Sequence, residues 1–260
     1  MDVINGKVIE ETYRKVKTIL VSQPKPERSP YYDLETKYGL TIDWRPFIHV
    51  EGLTAKEFRK QRIKPDEFSA IIFTSKNAID HFFRLCEEMR VKMSQDTKYF
   101  CKTEAVANYL QKFIVYRKRK VFAGVRSVLD LKPALMKHKD KETFLLPTSN
   151  LGAGNFGAFL EENGFKWKQA MMYQTVTSDL SDLKDIYYDV IVFFSPLDIK
   201  ALYENFPDFK QKVTRIAGFG KSTTSAIEAE GLFLNIQAPA PNVPSMTMAL
   251  ENYLKISNKD

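Results

Sequence analysis

Hydroxyl side chains stand at several points where an apolar strand pattern gives way to a helix pattern. Thr74-Ser75-Lys76-Asn77 follows the apolar run AIIF, and Ser195-Pro196 follows VIVFF. A serine at such a junction can cap the helix, and a proline suits its first position, where a missing N–H costs nothing. Unpaired amides and the positive end of the helix dipole attract anions there. Both junctions are therefore candidate anion-binding sites.

Two further junctions share this chemistry. Ser222-Thr223 lies in GFGKSTTSAI, which is superficially similar to a phosphate loop. Arg215, however, occupies the place of that loop's first glycine, and Thr223 breaks the dinucleotide-binding glycine pattern. Ser149 lies in the glycine-rich segment PTSNLGAGNFG. Together the four junctions predict a site for a large anionic ligand, held mostly by backbone amides in a cleft between two lobes. The alternative at each junction is an ordinary helix cap.

Residue sets typical of metal or nucleophilic catalysis are missing from the sequence. His49, His81 and His138 are scattered without metal-ligand spacing, and we expect them to be core or surface residues. The two cysteines, Cys86 and Cys101, provide neither a disulfide framework nor a metal motif. We therefore expect no cofactor and no metal, and chemistry that depends on positioning and hydrogen bonds.

Strand and helix patterns alternate along most of the 260 residues, which indicates βαβ units and parallel sheets. The strands are continuously apolar, as in sheets covered on both faces. The prediction is an α/β fold of two flavodoxin-like or Rossmann-like parallel-sheet lobes joined by a two-stranded connector. Extended segments 41–51 and 166–177 are the predicted crossings. Lobe one is then discontinuous, 1–44 plus 176–260, and lobe two is 45–172.

Charge and hydropathy limit the possible partners. The net charge of +7 favours an anionic partner, which includes nucleic acid, phosphate and polycarboxylate, although an ordinary solvated surface also explains it. The basic run YRKRK at 116–120 is a weak nucleic-acid signal, since it lies in an apparent strand over 114–122. No apolar run approaches a membrane span, and the first residues lack a secretory signal pattern. A cytoplasmic protein is expected.

Several of these residues belong to familiar motifs. FTSKNAI (73–79), MMYQT (171–175), FFSP (193–196) and GKST with AIEAEGL (220–232), in this order and spacing, resemble the uroporphyrinogen-III synthase family over nearly the whole chain. The resemblance implies two α/β lobes with the active site between them. It also implies a cofactor-free reaction of haem biosynthesis. Hydroxymethylbilane, which carries eight carboxylates, loses water and closes to uroporphyrinogen III with ring D inverted, through a spiro-pyrrolenine.

The resemblance also suggests roles for individual residues. The family's tyrosine falls on Tyr173, whose phenol would act as general acid towards the departing hydroxyl; the alternative is a hinge packing residue. Its junction serines fall on Ser75 and Ser195, and its hydroxyl pair falls on Ser222 and Thr223. The full set of predicted substrate-binding residues is Ser75, Lys76, Asn77, Ser149, Ser195, Pro196, Ser222 and Thr223.

Two departures from the family pattern leave another function open. Gln23-Pro24 replaces the usual Arg-Pro, and Thr103 to Val106 replaces a Gly-x-x-Thr pattern and adds Glu104. The alternative is a catalytically weak two-lobe protein that binds anions or tetrapyrroles. As partners we expect hydroxymethylbilane and a hand-over from the preceding pathway enzyme. We expect a monomer that binds neither nucleic acid nor membrane.

Overall fold

The computed structural model describes residues 2–4, 7–9, 11, 13–125 and 128–259. These residues divide into two compact units. Unit 1 comprises the described residues up to His49 and from Val176 onward, and unit 2 comprises Val50–Thr175. The chain passes between the units within two strands, β5 and β11, and these two strands form a two-stranded sheet.

The strands of the described residues, in chain order, are β1 Asp2–Ile4, β2 Lys7–Ile9, β3 Thr18–Val21, β4 Thr41–Trp44, β5 Ile48–Gly52, β6 Ala70–Phe73, β7 Lys98–Cys101, β8 Val121–Ala123, β9 Phe144–Thr148, β10 Trp167–Met171, β11 Tyr173–Thr177, β12 Val190–Phe193, β13 Arg215–Phe219 and β14 Leu234–Ala238. The α-helices are α1 Tyr31–Tyr38, α2 Ala55–Arg59, α3 Lys76–Glu88, α4 Glu104–Leu110, α5 Lys132–His138, α6 Gly154–Glu162, α7 Pro196–Asn205, α8 Lys221–Ala229 and α9 Met246–Ser257. Short 3₁₀ helices lie at Pro65–Glu67, Val128–Leu131 and Ser181–Leu183.

Each unit contains one five-stranded parallel sheet. The strand order is β14-β13-β12-β3-β4 in unit 1 and β10-β9-β6-β7-β8 in unit 2. β1 and β2 form a separate antiparallel pair. The predicted α/β class with two parallel sheets is therefore confirmed.

The central strands are apolar throughout because both of their faces are covered. In β6, Ile71 and Phe73 pack into one apolar cluster with helices α3 and α4. The alternate residues Ala70 and Ile72 pack into a second cluster, with α5 and α6. All four side chains are fully buried. β12 divides in the same way between two clusters of unit 1. Polar chemistry is thereby excluded from the sheet faces and restricted to the strand ends.

The strand order reverses once in each sheet, and this reversal locates a natural binding position. In unit 1 the connections after β3 and after β12 lead away from each other, towards β4 and towards β13. In unit 2 the connections after β6 and β9 diverge in the same manner, towards β7 and β10. Ligands of open α/β sheets bind outside the carboxyl ends of the strands at such a switch point.

The predicted strand over 114–122 is wrong in most of its length, because only Val121–Ala123 pair with β7. The amides of Phe113 and Ile114 instead donate to the Leu110 carbonyl and continue the end of α4. The amide of Lys120 donates to the carbonyl of Arg117 and closes a turn. Consecutive charged residues cannot place one face in a core, so the basic run forms a loop that enters the strand only at its last apolar residues.

Two other predictions are shortened by the structure. The sequence predicts a helix over 126–138, of which residues 126 and 127 lie outside the described residues. The observed helix α5 begins at Lys132. Pro133 is the reason, because a proline is accepted in the first turn of a helix but not further inside. The extended segment after residue 166 first supplies β10 to the unit 2 sheet, so only its second half, β11, belongs to the two-stranded sheet. Pro46 lies in the break between edge strand β4 and β5.

None of the α-helices within the described ranges combines the length and the apolar character that crossing a lipid bilayer requires.

Candidate functional site

The unit 2 switch point brings two of the predicted junctions to one edge of the sheet. β6 ends at Phe73 and leads to Ser75, and the neighbouring strand β9 ends at Thr148 and leads to Ser149. Ser75 is the N-cap of α3, and its Oγ accepts a hydrogen bond of 3.1 Å from the Ala78 amide. The amides of Lys76 and Asn77, which lie between Ser75 and Ala78, have no partner inside the helix and point towards this edge.

Lys76 and Asn77 form the exposed first turn of α3. The Lys76 ammonium lies 5.4 Å from the ring centroid of Tyr109, and the Tyr109 hydroxyl donates to Asp80 Oδ1 at 2.8 Å. This aromatic contact holds the ammonium near the helix start without an ion pair, since no described carboxylate lies within salt-bridge distance of it. A cation is thus available beside the unpaired amides.

Tyr173 contributes a phenol to the same edge. Its side chain is buried, with 8% of the residue exposed, and its Oη lies 3.3 Å from Ser75 Oγ. Because Ser75 Oγ already accepts the Ala78 amide, its own proton is free to be donated to the phenol oxygen. In that arrangement the phenol O–H points away from Ser75 and is available to a bound molecule.

His81 fixes the plane of the Tyr173 ring. The two rings stack at 5.0 Å between centroids with an interplanar angle of 20°. Gly52 makes this packing possible, since a Cβ at that position would lie 2.7 Å from His81 Nδ1 and 2.6 Å from Arg84 Nη2. Burial lowers the pKa of His81 below its usual value, the Arg84 charge lowers it further, and Asp80 acts in the opposite direction. A neutral imidazole therefore supports the phenol.

Ser149 has a structural task at its junction. Its Oγ accepts from the Leu151 amide at 3.2 Å and its carbonyl accepts from the Gly152 amide, so both oxygens shape the loop. The next residue, Asn150, pairs with the backbone of Thr175: Oδ1 accepts from the amide at 2.9 Å and Nδ2 donates to the carbonyl at 3.2 Å. Asn150 thereby ties the loop after β9 to β11.

In unit 1, Ser195 and Pro196 begin α7 at the end of β12. Pro196 is exposed, and Ser195 is partly buried. The Ser195 hydroxyl oxygen is buried and has no hydrogen-bond partner among the described residues. A buried hydroxyl without a partner loses free energy relative to water, which makes this oxygen a good contact for a bound polar group.

Asp198 holds the unit 1 switch point together. Its carboxylate is buried, and Oδ2 accepts from the amides of Phe194 (2.8 Å) and Ser195 (3.0 Å). The same oxygen accepts from the hydroxyl of Ser22 at 2.8 Å, at the end of the neighbouring strand β3. One carboxylate therefore fixes the loops that follow both strands of the switch point.

The other predicted junction of unit 1, between β13 and α8, contains Ser222 and Thr223, and these two residues differ in their exposure. Gly220 is the N-cap of α8, and its φ of 86° is a backbone conformation that favours glycine. Ser222 is exposed, whereas Thr223 is buried with 1% of its surface exposed. This junction thus presents Ser222 and the first amides of the helix, and it lies beside β12, one strand away from the switch point.

Metal-binding clusters are absent in the part of the chain that the structure describes: no group of three or more His, Cys, Asp or Glu side chains is arranged to hold an ion. The sequence reasoning did not identify Asp198, Asn150 or His81. Asp198 could have been recognised in the sequence, because Ser195 and Asp198 have the spacing of a capping box. No sequence pattern indicates a role for Asn150 or His81.

Comparisons with known proteins bear on the family and the fold of this chain. A family model described as uroporphyrinogen-III synthase HemD matches residues 33–248. The chain belongs to this family. A uroporphyrinogen-III synthase from Chlorobaculum parvum is 26% identical over 259 residues, which cover 92% of this chain and 100% of that protein. The resemblance seen in the sequence motifs is confirmed.

Solved structures with the same name share the fold. The crystal structure of uroporphyrinogen-III synthetase from Helicobacter pylori has a TM-score of 0.60 at 19% identity and covers 92% of this chain and 99% of that one. A mutant uroporphyrinogen III synthase from Thermus thermophilus has a TM-score of 0.54 at 13% identity with the same coverage. As a member of the uroporphyrinogen-III synthase family, the chain is a cyclising lyase of tetrapyrrole biosynthesis.

The Asp198 network makes a prediction about stability. Replacement of Asp198 by alanine leaves the Phe194 and Ser195 amides and the Ser22 hydroxyl without their acceptor, and we expect a loss of about 2–4 kcal/mol in the free energy of unfolding. Ser22→Ala removes only one donor and should cost about 1 kcal/mol. Urea denaturation of the two variants checks this. Equal costs would show that Asp198 does not hold both loops.

The His81 environment makes a prediction about pH. Folding lowers the pKa of His81 below the unfolded value of 6.5, so the unfolded chain binds the proton more tightly. The stability that neutral His81 provides is complete above about pH 6.5 and declines as the pH falls towards the folded pKa. NMR titration of the three histidines, assigned with His81→Gln and His138→Gln, should give a His81 midpoint below 6.5. A midpoint at or above 6.5 would contradict the packing described for the ring.

Proposed function

We propose that this chain converts hydroxymethylbilane into uroporphyrinogen III, with inversion of ring D and release of one water. Membership of the uroporphyrinogen-III synthase family supports this reaction. The observation that carries the assignment of residues is the contact between Tyr173 Oη and Ser75 Oγ, 3.3 Å apart, at the carboxyl edge of the unit 2 sheet. This contact places the Tyr173 phenol, a proton donor, next to the Ser75 hydroxyl, which orients it by a hydrogen bond.

Tyr173 is the proposed general acid. The bond that breaks joins carbon to oxygen in the hydroxymethyl group of the substrate, and the phenol proton goes to the departing oxygen, which leaves as water. The Ser75 hydroxyl keeps its proton and donates a hydrogen bond to the phenol oxygen, which stabilises the phenolate that forms. Ring closure then proceeds through the spiro-pyrrolenine, and the last pyrrole to regain aromaticity releases a proton, which restores the phenol. Atoms and charges balance with water as the only by-product.

The substrate's eight carboxylates require many donors, and both units contain candidate donors. In unit 2 we propose the amides at the start of α3, the Lys76 ammonium, the Asn77 side chain and the loop around Ser149. In unit 1 we propose the amides at the starts of α7 and α8, where Ser195 Oγ lacks a partner and Ser222 is exposed. Pro196 has no N–H to donate and shapes the α7 start, and Thr223 contributes through its backbone amide.

The proposal extends to the setting of the reaction. No cofactor takes part, and proton transfer and positioning supply the catalysis. The enzyme acts as a monomer in the cytoplasm, accepts its substrate from the preceding pathway enzyme, and binds no nucleic acid or membrane. The net charge of +7 favours association with the polycarboxylate.

The product isomer tests the proposed reaction. When the chain is supplied with hydroxymethylbilane and the products are oxidised and separated, we expect isomer III. Spontaneous closure occurs without ring inversion and gives isomer I, so isomer III can arise only from the proposed reaction. A mixture containing isomer I alone would contradict the reaction. Binding of hydroxymethylbilane without turnover would favour the alternative of a tetrapyrrole-binding protein.

Removal of the phenol tests the general acid. For Tyr173→Phe we expect kcat to fall about 10²–10⁴-fold while the ring still stacks on His81 and the fold is kept. Ser75→Ala should reduce the rate by less, because the phenol remains. Tyr187→Phe is a matched control, since Tyr187 is 53% exposed in unit 1 and should retain the wild-type rate. An unchanged rate in Tyr173→Phe would exclude Tyr173 from the chemistry.

A further inference from the structure

A cavity lies in unit 2 at the opposite edge of the sheet from Ser75 and Ser149. It has a volume of about 410 Å³ and lies where β7 begins at Lys98 and β8 begins at Val121. In a parallel sheet this amino edge is separated from the carboxyl edge by the length of the strands. The cavity is therefore distinct from the proposed catalytic groups, and its size is within the range of small-molecule sites.

The inner wall of this cavity is apolar. The rings of Phe83 and Phe113 stack at 4.8 Å with an angle of 9°, and both line it. Cys86 also lines it, and burial raises the pKa of its thiol to about 12, so the thiol is neutral. Val115, at the mouth, is 82% exposed. An apolar body would cover surface here that water now contacts unfavourably.

One buried polar group lines the cavity without a partner. Thr97 is 3% exposed, and its Oγ1 makes no hydrogen bond with any described residue. Its backbone amide, in contrast, is satisfied by the carbonyl of Ser94 at 3.1 Å. Leaving a hydroxyl buried and unpaired costs free energy, which a ligand's hydrogen-bonding atom would recover.

The rim of the cavity carries an excess of positive charge. Lys92, Arg117 and Lys120 line it. The Lys120 ammonium is neutralised by Asp96 Oδ1 at 2.6 Å and also donates to the Gln95 carbonyl at 2.6 Å. No described carboxylate lies within 4.0 Å of the charged groups of Lys92 and Arg117, although the Arg117 charge acts on Asp96 over a longer distance. Two cations next to an apolar wall match a ligand with one anionic end.

We propose that this cavity binds a small amphipathic carboxylate, aromatic or aliphatic. Its apolar body packs against Phe83 and Phe113, and its carboxylate pairs with Arg117 and Lys92 and accepts a hydrogen bond from the Thr97 hydroxyl. This gives a function to part of the basic run 116–120, which the proposed cyclisation does not use. The ligand and the tetrapyrrole bind opposite edges of one sheet, so the two can be bound together.

Calorimetric titration of the full chain with 2-naphthoate tests the site. We expect measurable binding, and weaker binding of the uncharged 2-naphthalenemethanol. Arg117→Ala should weaken naphthoate binding about 10–100-fold, as expected for the loss of a charge-assisted hydrogen bond. Arg119→Ala is the matched control: it belongs to the same basic run, is exposed, does not line the cavity, and should bind as the wild type does. Thr97→Val should weaken binding about 3–10-fold without loss of stability.

The position of the ligand is tested by ¹³C NMR of the methionine methyl groups. Met93 lines the cavity, so its signal, assigned with Met93→Leu, should shift on addition of 2-naphthoate, whereas that of buried Met172 should not. The proposal is overturned by absence of binding, by equal weakening in Arg117→Ala and Arg119→Ala, or by an unchanged Met93 signal in the saturated protein. None of these measurements depends on turnover of hydroxymethylbilane.

Discussion

Coverage of both faces of each parallel sheet is the constraint on which the rest of the structure depends. Once Ile71 and Phe73 contact one layer of helices and Ala70 and Ile72 the other, no polar side chain can be placed along the strand without burial. Chemistry is left to the ends of the strands, where helix amides lack partners within their own helix. The reversal of strand order then selects which ends lie beside open space.

The two switch points are stabilised by different means, and the difference matches their proposed tasks. In unit 1 the Asp198 carboxylate satisfies three donors and leaves the Ser195 hydroxyl oxygen without a partner, an arrangement suited to binding. In unit 2 the hydroxyl of Ser75 contacts a phenol, and an imidazole holds that phenol in plane. This arrangement is suited to proton transfer, because a fixed ring presents its O–H in one direction.

The sequence predicted the buried strands and most helix starts because these depend on local pattern. Ser75 and Ser195 mark the starts of α3 and α7 through hydrogen bonds with residues three positions further along the chain. Prediction failed where local pattern was overruled. The basic run after Val115 looked like a strand because apolar residues flank it, yet those residues end α4 and begin β8.

The details of the candidate site depend on contacts between residues far apart in the chain. The ring of His81 stacks on Tyr173 only because Gly52, from another segment, leaves room. Asn150 acts through the backbone of Thr175, and Asp198 through Ser22. No spacing rule reveals such pairs. The burial of Thr223 beside exposed Ser222 likewise follows from the orientation of α8, which the pattern of hydroxyl residues does not determine.

The central claim is that helix starts at the carboxyl edges of the two sheets bind the carboxylates of a tetrapyrrole. The most direct measurement is an amide NMR titration with uroporphyrin III, an octacarboxylate. The account predicts that the largest shifts occur in the amides at the starts of α3 and α7 that have no partner in the protein, those of Lys76, Asn77 and Leu197. Saturation with those amides unchanged, and shifts confined to the amino edges of the sheets, would contradict it.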